Sequence, residues 1–468
     1  MHSRRLTALR VMLLAAFLTS CAWARAAEAT PTQTWLVVSD IHLDPFNHWS
    51  DPSLPGRDTN LALFSSALSQ MQRDVPRPSM VLLPGDFLAH DFPSLVRRQG
   101  SGTSVNAAGL ATMRFIAAAF ARAYPRARFA IAVGNNDAPC GDYRADVADD
   151  YLASLARVWA PLIDREGAAA SFERSFSRGG YYTAALPLRG YRLVVLNTVL
   201  FSGEYKGSCT PRASDAAHDE LVWMNATLQN SPRGMRNIVM MHVPPGYDAF
   251  STQVTKGFIP WAFLNANDNA ALIAALTARS DRVAYAFAAH THHFDFRLID
   301  GISMIVFGSV SPVYRNNPSF YALKVGSDGS LRDIDAYAYD EWNGDWTAAH
   351  SFDREWLGRQ WKVGRVDTET LQSIHQQLSA DPAMRRAWDI ASNGWPSGPS
   401  TSWEQWGSWW RASWCAQTVM EAGFAQCAGI ERRVTLGRLL VGVAVALAIA
   451  AVAVLAWFGA RAWGLIAR

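Results

Sequence analysis

Five short segments of this chain carry side chains suited to holding metal ions, in the order Asp40-Ile41-His42, Gly85-Asp86, Gly134-Asn135-Asn136-Asp137, His242, and His290-Thr291-His292. Together they supply carboxylates, imidazoles and a carboxamide. Two divalent cations bridged by a shared carboxylate can hold a phosphate and activate a water between them. That requires several hard oxygen ligands, imidazoles, and one residue that touches both ions. Asp86 suits the bridge, and Asp40 and His42, two positions apart, could contact one ion together. The chemistry indicated is hydrolysis of a phosphate ester.

Each segment follows an apolar run, and these runs are the elements that must position it. Trp35–Val38, Met80–Leu83, Phe129–Val133, Arg192–Leu196, Asn237–Met241, Val283–Phe287 and Ile302–Val306 read as strands buried on both faces. Amphipathic stretches lie between several of them, at Asn60–Arg73, Ala107–Tyr124, Asp215–Leu228 and Asn267–Arg279. Strand alternating with helix implies an α/β domain. In such sheets ligand sites gather at the carboxyl ends of the strands, so residues far apart in the chain would converge.

Taken singly the motifs are common, since Asp-x-His and Gly-Asp arise by chance and a lone His before Val-Pro-Pro is usually structural. Their joint order resembles the calcineurin-like metallophosphoesterase superfamily. A narrower resemblance is to the acid sphingomyelinase-like phosphodiesterases. It is carried by Gly85-Asp86-Phe87-Leu88-Ala89-His90-Asp91, Gly180-Tyr181-Tyr182, His242-Val243-Pro244-Pro245-Gly246, Gly308-Ser309-Val310-Ser311-Pro312, Asn317-Pro318-Ser319-Phe320 and Cys415-Ala416-Gln417, and it spans about Thr34 to Cys427.

The resemblance implies Asp40, His42 and His292 on a first ion, Asp86 as the bridge, and Asn135, His242 and His290 on a second. It implies a four-layer α/β sandwich of two packed mixed β-sheets flanked by helices. The mixed His and Asp set makes zinc the leading metal, with manganese and iron also fitting. Two departures stand out. Ala289 occupies a position usually held by Gly, and Asn136 follows Asn135 where many members carry His. A carboxamide can donate a hydrogen bond to phosphate but cannot act as a proton donor near neutral pH. The acid role then falls to His90, whose ordinary pKa of about 6.5 suits proton transfer. Gly-Asn-Asn-Asp is also similar to the segment of endopolyphosphatases in this superfamily, which makes polyphosphate an alternative substrate. A binding protein that kept the fold and lost the chemistry is the alternative of another class, and intact residues at all seven ligand positions argue against it.

Other polar residues read as supporting. Asp137 is expected to orient the Asn135 loop and Asp44 to lie near the first ion. His48, His218 and His293 have no motif partner, and the sequon at Asn225 lies in an expected helix.

Composition bounds the rest. The chain has 468 residues, half of them hydrophobic, and a net charge of +3, with no basic block to suggest a nucleic-acid surface. Of its 19 Trp, Trp403, Trp406, Trp409, Trp410 and Trp414 cluster and read as an aromatic core or membrane-proximal surface. Residues 1–26 read as a signal peptide, with arginines ahead of an apolar stretch and a small-x-small site ending at Ala26. Leu18-Thr19-Ser20-Cys21 is lipobox-like, and only one of the two processing sites can be used. Leu439 to Ala460 is an uncharged run of 22 residues, long enough to cross a bilayer. These ends imply an exported catalytic domain over 34–341, a helical C-terminal cap over 342–430, and a membrane tether over 439–460. In an exported protein the four cysteines beyond Cys21 read as two disulfides. Cys415–Cys427 would close a short loop, leaving Cys140–Cys209.

Overall fold

A computed structural model describes residues 32–430 and 451, except 53–54, 101, 146–149, 164–168, 210–214, 256–258, 353–363 and 396–409. The expected signal peptide, the 397–402 loop, Trp403, Trp406, Trp409 and all but one residue of the expected 439–460 span lie outside the described residues. Among the described residues, no helix is long and apolar enough to cross a membrane.

The chain begins β1 (Thr32–Val37), α1 (Leu61–Asp74), β2 (Met80–Leu83), α2 (Phe92–Gln99), α3 (Val105–Ala123) and β3 (Arg128–Ile131). It continues α4 (Tyr151–Ile163), α5 (Ala169–Gly179), β4 (Tyr182–Ala185), β5 (Tyr191–Val195), α6 (Ala216–Gln229), β6 (Arg236–Met240), α7 (Ala266–Thr277) and β7 (Val283–Ala288). Strands β8 (Asp295–Ile299), β9 (Ile302–Val306), β10 (Ser319–Gly326), β11 (Leu331–Asp340), β12 (Asp345–Trp346) and β13 (His350–Ser351) follow. Four helices close the described chain: α8 (Thr368–Ala380), α9 (Pro382–Ser392), α10 (Trp410–Ala416) and α11 (Phe424–Cys427).

The strands form two mixed sheets. The first has the order β12-β11-β10-β1-β2-β3 with β13 on β11, and the second β4-β5-β6-β7-β9-β8. Within the first, β1, β2 and β3 are parallel and β10 runs antiparallel to β1. In the second, β5, β6, β7 and β9 are parallel, with β4 and β8 antiparallel at the edges.

The period-two geometry of a strand sends alternate side chains to opposite faces, and in the second sheet this splits the core. Leu193, Val195, Ile238, Met240, Phe287 and Ile305 join Trp35 and Leu82 of the first sheet in one cluster. Their neighbours Val194, Val239, Met241, Ala286 and Met304 join Met224 of α6 and Leu272 of α7 in another. Outside the first sheet, Phe64 of α1, Ile116 and Phe120 of α3 and Trp159 of α4 are buried as well. The expected four-layer sandwich is therefore present.

Helix boundaries follow local chemistry. Asn60 caps α1 by accepting from the Leu63 N–H at 2.8 Å, and Ser104 caps α3 by accepting from Ala107. The edges of the two sheets are joined by Tyr182. Its hydroxyl donates to the Ile131 carbonyl at 2.8 Å and accepts from the Ile131 N–H at 2.9 Å.

The segment after 341 differs from the expected run of helices. It opens with β12 and β13, which pair with β11 and extend the first sheet before α8 begins. The C-terminal helices also share the main core, through Leu371, Ile374, Leu378, Met384 and Trp388. Both expected disulfides are present, Cys140–Cys209 and Cys415–Cys427.

Candidate metal centre

Five loops leave the carboxyl ends of β1, β2, β3, β6 and β7, and each delivers ligand-type side chains to one end of the sandwich. Asp40, His42 and His292 form one group whose ligand atoms lie within 4.8 Å of one another, and Asp86, His242 and His290 form a second. One oxygen joins them. Asp86 Oδ2 lies 3.3 Å from His42 Nε2 and 3.3 Å from His242 Nε2. Asp40 Oδ1 is 3.5 Å from His292 Nε2, and Asn135 Oδ1 is 3.0 Å from His242 Nε2. All seven expected ligand residues are thus brought together.

The close approach of these loops explains the glycines that precede the ligands. A Cβ on Gly134 would stand 2.1 Å from Asp86 Oδ1, and one on Gly85 would stand 2.8 Å from His242 Nδ1. Backbone conformation is unusual too. Asp40, His42, Asp86, His290 and His292 all have φ between 43° and 74°. Non-glycine residues hold that left-handed region at a cost, and such residues cluster at functional sites.

Outer contacts aim the ligand atoms. His42 Nδ1 faces the Leu88 carbonyl at 3.1 Å and His242 Nδ1 faces the Pro84 carbonyl at 2.8 Å, which directs Nε2 of each ring into the site. Asp137 does more than orient the Asn135 loop. Its carboxylate accepts from the N–H groups of Asp86 at 3.0 Å, Phe87 at 2.7 Å and Gly134 at 2.8 Å, binding two ligand loops together. Asp44 instead forms a local turn, accepting from the Phe46 N–H.

The electrostatics favour cations. Burial disfavours ionisation of Asp40 and raises its pKa, whereas Asp86, equally buried, is held well below the usual carboxylate range by His242 and His42. Burial opposes charge on those two imidazoles, but Asp86 overcomes it and pushes both up to about 9. Burial, reinforced by neighbouring imidazoles, takes His290 down to about 3. Asp40 Oδ1 is buried with no hydrogen-bond partner among the described residues. Two buried carboxylates, three Nε2 atoms facing them and an unpartnered oxygen form a donor set that fits divalent metals, which would displace the protons on His42 and His242.

His90 flanks the first group. Its ring stacks on His42 with centroids 4.2 Å apart, and its Nδ1 lies 2.8 Å from Asp58 Oδ1. Its side chain keeps 31% exposure. Asn136 gives one of its two carboxamide N–H groups to Asp86 Oδ2 at 3.0 Å and its backbone N–H to Asp86 Oδ1 at 2.8 Å.

Three neighbours carried no sequence signal. Asp58 belongs to no motif, and Asp142 and Tyr143 lie beyond Gly134-Asn135-Asn136-Asp137. Asp142 Oδ1 accepts from Asn135 Nδ2 at 2.6 Å, and the Tyr143 hydroxyl lies 3.1 Å from His290 Nε2. A cavity of about 860 Å³ opens beside the second group, lined by Tyr143, His290, Tyr314 and Asp248 and, from the C-terminal helices, Trp388 and Trp414.

No family model matches the chain. Sphingomyelinase phosphodiesterase D of Dictyostelium discoideum is 26% identical over 298 residues, 61% of this chain and 61% of that protein. Sphingomyelinase phosphodiesterase C of the same organism is 30% identical over 193 residues, 41% of this chain and 39% of that protein. The human cyclic GMP-AMP phosphodiesterase SMPDL3A is 25% identical over 277 residues, 54% of this chain and 56% of that protein. Over part of its length the chain is similar to these sphingomyelinase-type phosphodiesterases. It spans less than two thirds of the length of each of these three relatives.

Proposed function

We propose that the chain is a dinuclear-metal phosphoesterase that hydrolyses phosphodiester or phosphoanhydride bonds, with phosphodiesters of the acid sphingomyelinase-like type as the leading substrates. Asp40, His42 and His292 would hold one ion and Asn135, His242 and His290 the other, with Asp86 between them. Zinc leads, and manganese or iron fits the same donors. The observation that carries the reading is the Asp86 Oδ2 atom, 3.3 Å from an imidazole nitrogen of each group.

The ions would supply Lewis acidity to the phosphoryl oxygens and to the attacking water. The chain's residues do the rest. Asp58, on His90 Nδ1, holds that ring so that Nε2 is the nitrogen able to give a proton to the leaving oxygen as its bond to phosphorus breaks. Asn136 holds the Asp86 carboxylate by two hydrogen bonds. The unit over 34–341 would carry the ligands, and the region over 342–430 would complete the wall of the cavity.

An exported location agrees with two disulfides among the described residues and with the apolar leader. The uncharged run at 439–460 supports a membrane tether with the catalytic unit on the periplasmic or extracellular side.

Replacing Asp86 with Ala tests the centre. We expect the variant to lose bound metal and on the order of a hundredfold or more of its activity on a bis-aryl phosphate. Full activity there would sink the proposal. Exclusive cleavage of long-chain polyphosphate by the wild type would make it an endopolyphosphatase instead.

A further inference from the structure

The proposed mechanism uses His90 beside the first ligand group and leaves the second without a donor of its own. Asn136 gives its backbone N–H and one of its two carboxamide N–H groups to Asp86, which ties it to the central carboxylate. Tyr143 stands where such a donor would be useful. Its hydroxyl lies 3.1 Å from His290 Nε2, its ring meets that imidazole edge-on with centroids 6.0 Å apart, and its side chain lines the cavity.

The residue is held there by several independent contacts. Its backbone N–H donates to the Asn135 carbonyl at 2.9 Å, and its own carbonyl accepts from the Lys206 N–H at 2.8 Å. Cys140, three residues earlier, is bonded to Cys209, and the Lys206 ammonium lies 5.7 Å from the Tyr143 ring centroid. Its φ of 52° is a conformation that a residue with a Cβ keeps only where its surroundings impose it. Asp142 beside it fixes the Asn135 carboxamide at 2.6 Å, so one disulfide-clipped loop sets both a ligand of the second group and the adjacent phenol. With the His290 lone pair engaged by a cation, the hydroxyl loses that acceptor. Its proton is then available to an anionic oxygen in the cavity.

We propose that Tyr143 is a hydrogen-bond donor to the phosphoryl group on the side of His290, the counterpart of His90 on the side of His42. The inference rests on the metallophosphoesterase reading. It assigns a role that His-bearing members of the superfamily would give to the position of Asn136.

Tyr143→Phe in the full-length, zinc-loaded protein is the test, with metal content, inhibition by inorganic phosphate, and kcat for a bis-aryl phosphate read in parallel. We expect metal content equal to wild type, kcat reduced about 10- to 100-fold, and inhibition by phosphate weakened about tenfold. Protection of the protein against thermal unfolding by phosphate supplies a readout independent of turnover, and should weaken in the same variant. Phosphate affinity and kcat within twofold of wild type would overturn the role. Loss of bound zinc would overturn it too, since Tyr143 would then serve the ion and not the substrate. A wild-type protein that hydrolyses no phosphate ester would remove the underlying reading, whereas an active wild type matched by the variant removes Tyr143 alone.

Discussion

At the scale of single residues, the seven positions proposed as ligands stand out in the sequence because each pairs a chemically specialised side chain with the end of an apolar run. Their partners were not. Asp58 meets His90 across 32 positions in sequence and Tyr143 meets His290 across 147, and no local spacing encodes either contact. A buried acid away from the centre shows the same limit. Glu220 of α6 is fully buried, accepts the Asn197 N–H at 2.6 Å through Oε1, and has no hydrogen-bond partner for Oε2 among the described residues. Burial pushes its carboxyl well above the usual range. A group whose pKa is higher folded than unfolded contributes stability that is complete below the unfolded value, and that contribution is lost as pH rises towards the folded one. Glu220→Gln keeps the acceptor and cannot ionise. Denaturant titrations should find it close to wild type at pH 5 and more stable by roughly 1–2 kcal/mol at pH 8. An equal difference at both pH values would refute this.

At the scale of elements, seven strands could be read from continuous apolar runs because those strands are covered on both faces. The others could not. In β11, Asp333, Asp335 and Asp340 interrupt the apolar pattern, and β8 likewise carries Asp295 and Arg297. Strands β12 and β13 have two residues each, too few for any period to show. The loops between elements carry a constraint of their own, as at Gly134. Gly134→Ala drives a methyl group into the Asp86 carboxylate and separates two ligand loops that Asp137 ties together. We expect a loss of about 1–3 kcal/mol in chemical denaturation together with loss of bound metal. A variant with wild-type metal content would show that the loops can part without harm.

For the whole molecule, the α/β class and both disulfides followed from the chain and the sandwich from the resemblance its motifs carry, whereas the relation of the C-terminal helices to the sandwich did not. Amphipathic helices announce an apolar face without naming what covers it. Trp388 of α9 answers this, with its ring 5.3 Å from Phe296, 6.0 Å from Phe294 and 6.5 Å from Phe352. The helices are therefore expected to melt together with the sheets. Trp388→Ala should cost about 3–5 kcal/mol and shift one cooperative unfolding transition as a unit. Two separate transitions in calorimetry would show instead that the C-terminal region is an independent unit.

The Tyr182 hydroxyl has a meaning beyond joining the two sheets. The Ala132 N–H bonds to Leu83 on β2, so the peptide groups of Ile131 point away from the sheet, towards the side on which a further strand would add. Exposed sheet edges are templates for self-association, and proteins blunt them with charge, bulges or cover. Here a phenol occupies both hydrogen-bonding groups of that rung. The strand that leads into the Asn135 loop is thereby closed to strand addition at the rung nearest the candidate ligands, so a single phenol removes one foothold for self-association beside the site.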